Sequence, residues 1–218
     1  MRVDRFFSPT DLAEIEKAVR EAEAQTAGEI VPYAVSHSDH YEATAWKGAT
    51  LGAFLAVALA ALVHWRAELW GGPTVAWIAL PPLAGGALGY LAAALIRPFK
   101  VWLAGRAVVD HHVRQRAANA FLESEVFKTA DRTGVLVFVS LFERRVVVLG
   151  DAGINALVGQ HEWDAIVGEI VAGIRAGHPG AALAVGIRRC GELLKRRGVT
   201  IRPDDTDELP DRLQTREE

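Results

Sequence analysis

Two apolar runs, Gly48–Val63 and Pro73–Ile96, occupy the middle of the chain and are joined by the short segment His64–Gly72. About 20 residues of helix cross the hydrocarbon of a bilayer. The second run reaches that length alone, the first reaches it with its flanks, and neither carries a charged side chain. Both are apolar all round rather than along one stripe, which separates them from the helices of a soluble core. Trp46, Trp65, Trp70 and Trp102 stand near the run ends, where amphipathic rings favour the membrane–water interface. Lys47, Arg66, Arg97 and Lys100 bracket the runs, where long cationic stems can snorkel. The expectation is a two-helix transmembrane hairpin over residues 46–97, in contact with the lipid bilayer.

Orientation follows from the basic residues. The loop holds Arg66 beside Glu68, whereas the outer flanks hold Lys47, Arg97, Lys100, Arg106, Arg114 and Arg116. Cytoplasmic flanks are the basic ones. Both termini are therefore expected in the cytoplasm, with the chain multi-pass in a cell inner membrane. The opening Met1-Arg2-Val3-Asp4-Arg5 is followed by no apolar core and does not read as a secretory signal.

Two crossings return the chain to the same side, so the flanking soluble segments, residues 1–45 and 98–200, can build one domain. The formal net charge of -3 argues against a nucleic-acid partner, whose footprint is usually basic. A single cysteine, Cys190, excludes an intramolecular disulfide and a cysteine-based metal cage. If exposed beside Arg188-Arg189, its thiol would have a lowered pKa; otherwise it is a plain helix residue.

Ser8-Pro9-Thr10-Asp11 has the order of a helix start, with Ser8 as N-cap and Pro9 at the first position. Leu12, Ile15, Ala18 and Val19 continue it at helical spacing to about Ala24. Glu29–Ser36 reads as a strand, and Pro32 within it points to a sheet edge. Pro98 opens a long basic helix expected to run to about Ala130. Val135–Phe142 is a nearly continuous apolar strand; Glu143-Arg144-Arg145 is a polar turn; Val146–Leu149 is a second strand, closing a β-hairpin within a covered sheet. Amphipathic helices follow over about Asn155–Ala176 and Pro179–Arg197. Strand Glu29–Ser36 is expected in the same sheet as Val135–Leu141. The fold class is α/β, an α/β/α sandwich interrupted by the hairpin. Residues 201–218 form an acidic tail, expected to be disordered when unbound.

Thr133-Gly134-Val135-Leu136-Val137-Phe138-Val139-Ser140, followed by Glu143-Arg144-Arg145-Val146-Val147-Val148-Leu149-Gly150-Asp151-Ala152-Gly153-Ile154, resembles the core of the TPM domain. That family is named for a thylakoid lumen protein, a photosystem II accessory protein and a modulator of an acetylcholine receptor. Glu23-x-x-Thr26-x-Gly28-Glu29-Ile30-Val31 is similar to its first helix-to-strand junction, and Gly191-Glu192-Leu193-Leu194 to the end of its last helix. The split by a hairpin resembles bacterial membrane-inserted members. The resemblance implies an α/β/α sandwich. It also implies either assembly and protection of photosynthetic complexes or acid phosphatase activity.

No phosphate loop of the Gly-x-x-x-x-Gly-Lys type supports the second idea, and the one Asp-x-Asp spacing, Asp205 and Asp207, falls in the tail. No cofactor is expected, with a divalent cation as the single candidate. Asp151, between Gly150 and Gly153 at a strand end, could hold such a cation with Glu29 or Glu143; alternatively it caps the helix beginning near Asn155. His37-x-x-His40 with Asp39, and Asp110-His111-His112, could ligate a metal or simply be solvated. Arg144-Arg145 could clamp an anion or serve as a solvated turn. Gly48-x-x-x-Gly52 and Gly85-x-x-x-Gly89 allow helices to approach closely in lipid, within the hairpin or against another subunit. These four glycines are the candidate partner-binding residues. The function expected is a membrane-anchored, non-enzymatic accessory, assembly or stabilising subunit of a larger integral membrane protein complex, photosynthetic by family analogy. The alternative is a metal-dependent acid phosphatase.

Overall fold

The computed structural model describes residues 3–66, 75–201 and 208–216. In chain order its elements are α1 (Val3–Phe6), α2 (Pro9–Glu23), β1 (Ile30–Val35), α3 (Glu42–Arg66), α4 (Val75–Leu95), α5 (Arg97–Ala104), α6 (Arg106–Glu123), β2 (Val135–Ser140), β3 (Arg145–Gly150), α7 (Ala152–Asn155), α8 (Gln160–Arg175), α9 (Pro179–Arg196) and β4 (Gln214–Arg216). They divide into two compact units, residues 1–38 with 112–218, and residues 39–111.

The first unit is built on a four-stranded sheet of order β3-β2-β1-β4. Strand β1 runs parallel to β2 with Ile30 opposite Val135, and β3 returns antiparallel to β2 as a hairpin. Every residue of β1 and β2 is buried. This is why both read as near-continuous apolar runs: a strand covered on both faces has no solvated side to mark by alternation. The register puts Ala34, Val135, Val137 and Val139 on one face. There they join Trp163 and Ile170 of α8, Leu183 and Ile187 of α9, and Ile15 of α2 in one core. Burying each such side chain contributes about 1.5–3 kcal/mol. The opposite face presents Tyr33, Leu136 and Phe138. Helix α6 lies there, since Glu123 accepts a hydrogen bond from the Tyr33 hydroxyl at 3.3 Å. Helices on both faces make an α/β/α sandwich.

Local signals explain the element ends. The Ser8 hydroxyl accepts from the Asp11 N–H at 3.1 Å, and the Asp11 carboxylate accepts from the Ser8 N–H at 2.8 Å. This reciprocal cap satisfies donors that the first turn of α2 would otherwise leave open.

Four expectations are corrected. First, the helix opened by Pro98 does not run to Ala130. It breaks at Gly105, whose φ of +86° is a conformation that side chains disfavour, and α6 ends at Glu123. Second, the helix expected from about Asn155 begins only at Gln160, as α8; Asn155 instead ends the short α7, and Ala156–Gly159 lie between them. Third, β1 is not an edge strand, because β4 pairs with it over Tyr33–Val35. Pro32 is still accommodated. The N–H of Val135 donates to the Glu29 carbonyl and that of Leu141 to the Val35 carbonyl, so odd-numbered positions of β1 bond towards β2. Pro32 thus turns its missing donor to the β4 side, where pairing begins only at Tyr33. Fourth, the tail is not wholly without structure: its residues Gln214–Arg216 form β4. Asp205 and Asp207 lie outside the described residues.

In the second unit, α3 and α4 pack side by side. At 1.5 Å per residue they are about 37 and 31 Å long. Both are long and apolar enough to cross a membrane. Helix α4 continues through Pro81 and Pro82. The loop residues 67–74, including Glu68 and Trp70, lie outside the described residues.

Candidate functional site

In open sheets with parallel strands, ligands collect beyond the carboxyl ends of those strands. Here that end is formed by Ser36-His37-Ser38 after β1, and by Ser140 with the turn Leu141–Arg144 after β2. Pairing persists past β1, with the Phe142 N–H donating to the Ser36 carbonyl at 2.9 Å. This brings Glu143 back over β1. Its carboxylate accepts from the Ser38 N–H at 3.0 Å and, through its other oxygen, from the Ser140 hydroxyl in a short hydrogen bond. The Ser38 and Ser140 hydroxyls are 2.8 Å apart. Ser36 Oγ and His37 Nδ1 share a hydrogen bond of 2.9 Å. Ser140 is 0% exposed and Glu143 3% exposed.

Chemically this is a serine hydroxyl on a carboxylate, a pairing that can generate a nucleophile when substrate reaches it. Both groups are closed off from solvent, and each Glu143 oxygen has a donor. The cluster pins the β2–β3 turn to the end of β1.

Glu29 and Asp151 stand at the other end of the sheet. The Glu29 carbonyl accepts from the N–H of Val135, the first residue of β2, and the Asp151 N–H donates to the carbonyl of Gly134. Glu143 is separated from both by the length of a six-residue strand, about 20 Å. The three carboxylates therefore do not form one cation site. Asp151 is the N-cap of α7, accepting from the Ala152 N–H at 2.7 Å, and its other oxygen meets Arg132 Nε at 2.7 Å. The capping alternative describes it. The same turn shows why this short signature is legible: Gly153 N–H donates to the Arg132 carbonyl, so the Asp131–Gly134 and Gly150–Gly153 turns are stitched together. At the helix-to-strand junction, Glu23 accepts from the Ile30 N–H at 2.8 Å and Thr26 donates to the Val199 carbonyl at 2.7 Å.

The remaining candidates separate. Among the described residues, no group of three or more His, Cys, Asp or Glu is placed to hold a metal. Asp39 accepts from the Tyr41 N–H within its own turn. Asp110, His111 and His112 are consecutive on α6, so their side chains diverge by about 100° each. Arg144 is exposed in the turn with φ of +54°, while Arg145 is half-buried in β3 opposite Ser140. Cys190 is fully buried in α9, and burial pushes its thiol up to about 12. The spacing from Cys190 to Arg196 has the Cys-x5-Arg form, but it lies along a helix with a buried thiol, not in a phosphate-cradling loop.

The partner-binding candidates Gly48, Gly52, Gly85 and Gly89 face one another across the hairpin. A Cβ on Gly52 would strike the Gly85 carbonyl, and one on Gly89 the Gly48 carbonyl. The four line the α3–α4 seam, the within-hairpin arrangement of the two the spacing allows. Small residues let backbones approach in this way.

One cluster escaped the sequence reading. Arg116, 6% exposed, donates to the Tyr33 hydroxyl at 3.4 Å and to Glu123 at 3.4 Å, with its guanidinium carbon 5.7 Å from the Tyr33 ring centre. Arg216 of β4 reaches the other Glu123 oxygen at 2.8 Å, and Ser124 donates to Gln214 at 2.7 Å. Burial pushes the Glu123 carboxyl up, but the Arg216 hydrogen bond and the charges of Arg116 and Arg216 hold it below its ordinary value. The legible signal was the spacing of Arg116 and Glu123, seven residues apart on one face of a helix; their partner in the tail was not legible.

Residues 106–193 match the model of the TPM domain. The fold is similar to that of the BA42 protein from the psychrophilic bacterium Bizionia argentinensis, solved by NMR. That match has a TM-score of 0.58 at 19% identity and covers 98% of each chain. A comparison with curated proteins finds no match. The matched segment holds β2, β3, α6, α7, α8, most of α9 and the stitched turns, while α2, β1 and β4 complete the same sandwich from outside it; residues 106–193 are thus similar to the TPM domain, and the fold as a whole is similar to that of the BA42 protein.

Proposed function

We propose that the protein is a membrane-anchored, non-enzymatic accessory subunit. It holds a TPM domain on the cytoplasmic side of a cell inner membrane and assembles with or stabilises a larger integral membrane protein complex. One observation carries the anchoring: the outward surfaces of α3 and α4 are apolar and bare, with Phe54 72%, Leu83 69% and Leu88 69% exposed. Apolar patches of this extent mark membrane or protein contacts. The basic outer flanks favour cytoplasmic termini. The non-enzymatic part is supported by Asp151, Asp39 and Glu143, which serve as a cap, a turn and a buried pin. The photosynthetic version of the complex rests on the family resemblance alone.

The test is gentle solubilisation of native membranes, followed by mass spectrometry of what copurifies. A stoichiometric integral membrane partner is the expected result. A protein that copurifies with nothing, yet turns over phosphoesters when given a divalent cation, would establish the phosphatase alternative. A reporter fused after Glu218 that is active only in the periplasm would reverse the topology.

A further inference from the structure

At the basic end of the hairpin the chain does not leave for solvent. It turns at Ile96 into α5, which packs on both α3 and α4. Ala104 is the buried residue of this eight-residue helix. Its outer side is apolar: Trp102 is 68% exposed and stacks on Phe99 with ring centres 5.9 Å apart and planes at 18°. The patch continues into the end of α4, where Leu95 is 78% and Ile96 51% exposed. A second aromatic pair, Trp46 of α3 and Tyr90 of α4, lies in edge contact at 5.5 Å. Cations are interleaved, with Arg97, Lys100 and Arg106, and no acidic residue falls between Leu95 and Val109.

Aromatic rings of this type belong at headgroup level, and a helix with an apolar outer face and basic margins lies along an interface. A soluble surface would mix both charge signs and would not leave a tryptophan bare beside a leucine and an isoleucine. We infer that α5 is an interfacial foot: Trp102 and Phe99 seat in the headgroup layer, and Lys100 and Arg106 bind the phosphates of anionic lipids. The occupant is the lipid surface, because the apolar face is continuous with the exposed surface of α4 and the charge is of one sign. The inference rests on the anchoring reading above and adds the depth of α5 and the lipid class it selects.

The test uses the full chain with Trp102→Cys carrying a polarity-sensitive fluorophore; Cys190 is fully buried and stays unlabelled in the folded protein. The chain is reconstituted in phosphatidylcholine vesicles with and without phosphatidylglycerol. The same label at exposed Gln160 serves as reference. Resistance to alkaline extraction reports hairpin insertion separately. The expected result is shielding of position 102 from aqueous iodide relative to position 160, deepened by phosphatidylglycerol. Lys100→Gln and Arg106→Gln should each cut the affinity for phosphatidylglycerol about fivefold, and high salt should do the same. An inserted chain whose position 102 is as open to iodide as position 160 overturns the foot alone. Shielding that ignores phosphatidylglycerol and both substitutions overturns the anionic-lipid assignment. A chain released by alkali overturns the anchoring reading and the foot together.

Discussion

Replacing Glu143 tests whether the polar cluster at the carboxyl end of β1 and β2 is a structural pin. Glu143→Ala removes the acceptor of the Ser38 N–H and of the Ser140 hydroxyl. The two losses are unequal. The Ser140 hydroxyl can swing to Ser38 Oγ, already 2.8 Å away, and recover a partner. The Ser38 N–H is fixed by the backbone and left without its partner in a half-buried position, at about 1–2 kcal/mol, below the roughly 1–3 kcal/mol of a fully buried donor. The vacated space of a residue only 3% exposed adds a further loss of packing, so about 2–4 kcal/mol is expected in all. For a chain of 218 residues this lowers Tm by roughly 5–15 °C, at about 2–4 °C per kcal/mol. Glu143→Gln keeps the shape and the Oε1 acceptor, while its amide can donate to Ser140 Oγ, whose proton turns to Ser38; about 1 kcal/mol is expected. The assay is thermal unfolding in detergent followed by circular dichroism. A Glu143→Ala protein that melts within about 2 °C of the parent would refute the pin, and with it the argument that burial rather than catalysis explains the cluster.

The pH dependence of the tail latch follows from Glu123, whose folded-state pKa is depressed. Its contribution is present above the unfolded value of about 4.3 and is lost as pH falls through the folded one. A spin label at Thr215 should therefore gain mobility on acidification, and Glu123→Gln should abolish that pH dependence. Gly52→Leu should open the α3–α4 seam, lowering cross-linking between cysteines placed on the two helices, whereas Gly168→Leu, where no atom lies within 4 Å, should not. Asp151→Asn, which removes the charge facing Arg132 while keeping a capping oxygen, should cost about 1 kcal/mol in the same melt. The Cys190 thiol, pushed up to about 12 by burial, should resist a disulfide reagent at pH 8 until the protein is unfolded.

Elements whose reasons are local were legible. The cap at Ser8 and Asp11 needs four consecutive residues, and both donors are satisfied within them. The β2–β3 hairpin shows in its two apolar runs because its turn closes at once. The α3 and α4 runs show because, among the described residues, their outer apolar faces stay exposed. What failed depended on distant partners or on one torsion angle. Gly105 sits in a helical pattern, and only its φ of +86° reveals a break. The tail looks too polar to fold, yet three of its residues pair with a strand nearly two hundred positions earlier, helped by Glu123 and Ser124. Glu29, Glu143 and Asp151 share a residue class and flank the strands of one sheet, but a strand has two ends. Sequence distance cannot say that Glu143 belongs to the far one.

The glycine spacings show where the reach of such reading stops. A Gly-x-x-x-Gly pair says that a backbone comes close; it does not say whose. Two such pairs in adjacent helices leave both an internal seam and an external dock open. The seam has the advantage of proximity: a short connection makes pairing of α3 with α4 effectively intramolecular, whereas a second subunit must be found by diffusion. The structure places all four glycines in that seam. Under the proposed accessory role, a membrane partner would meet first the bulky outer residues, such as Phe54, Leu59 and Leu88, which stand 72%, 62% and 69% exposed. Substitutions that test partner binding therefore belong on that outer surface, where they can weaken association without opening the hairpin.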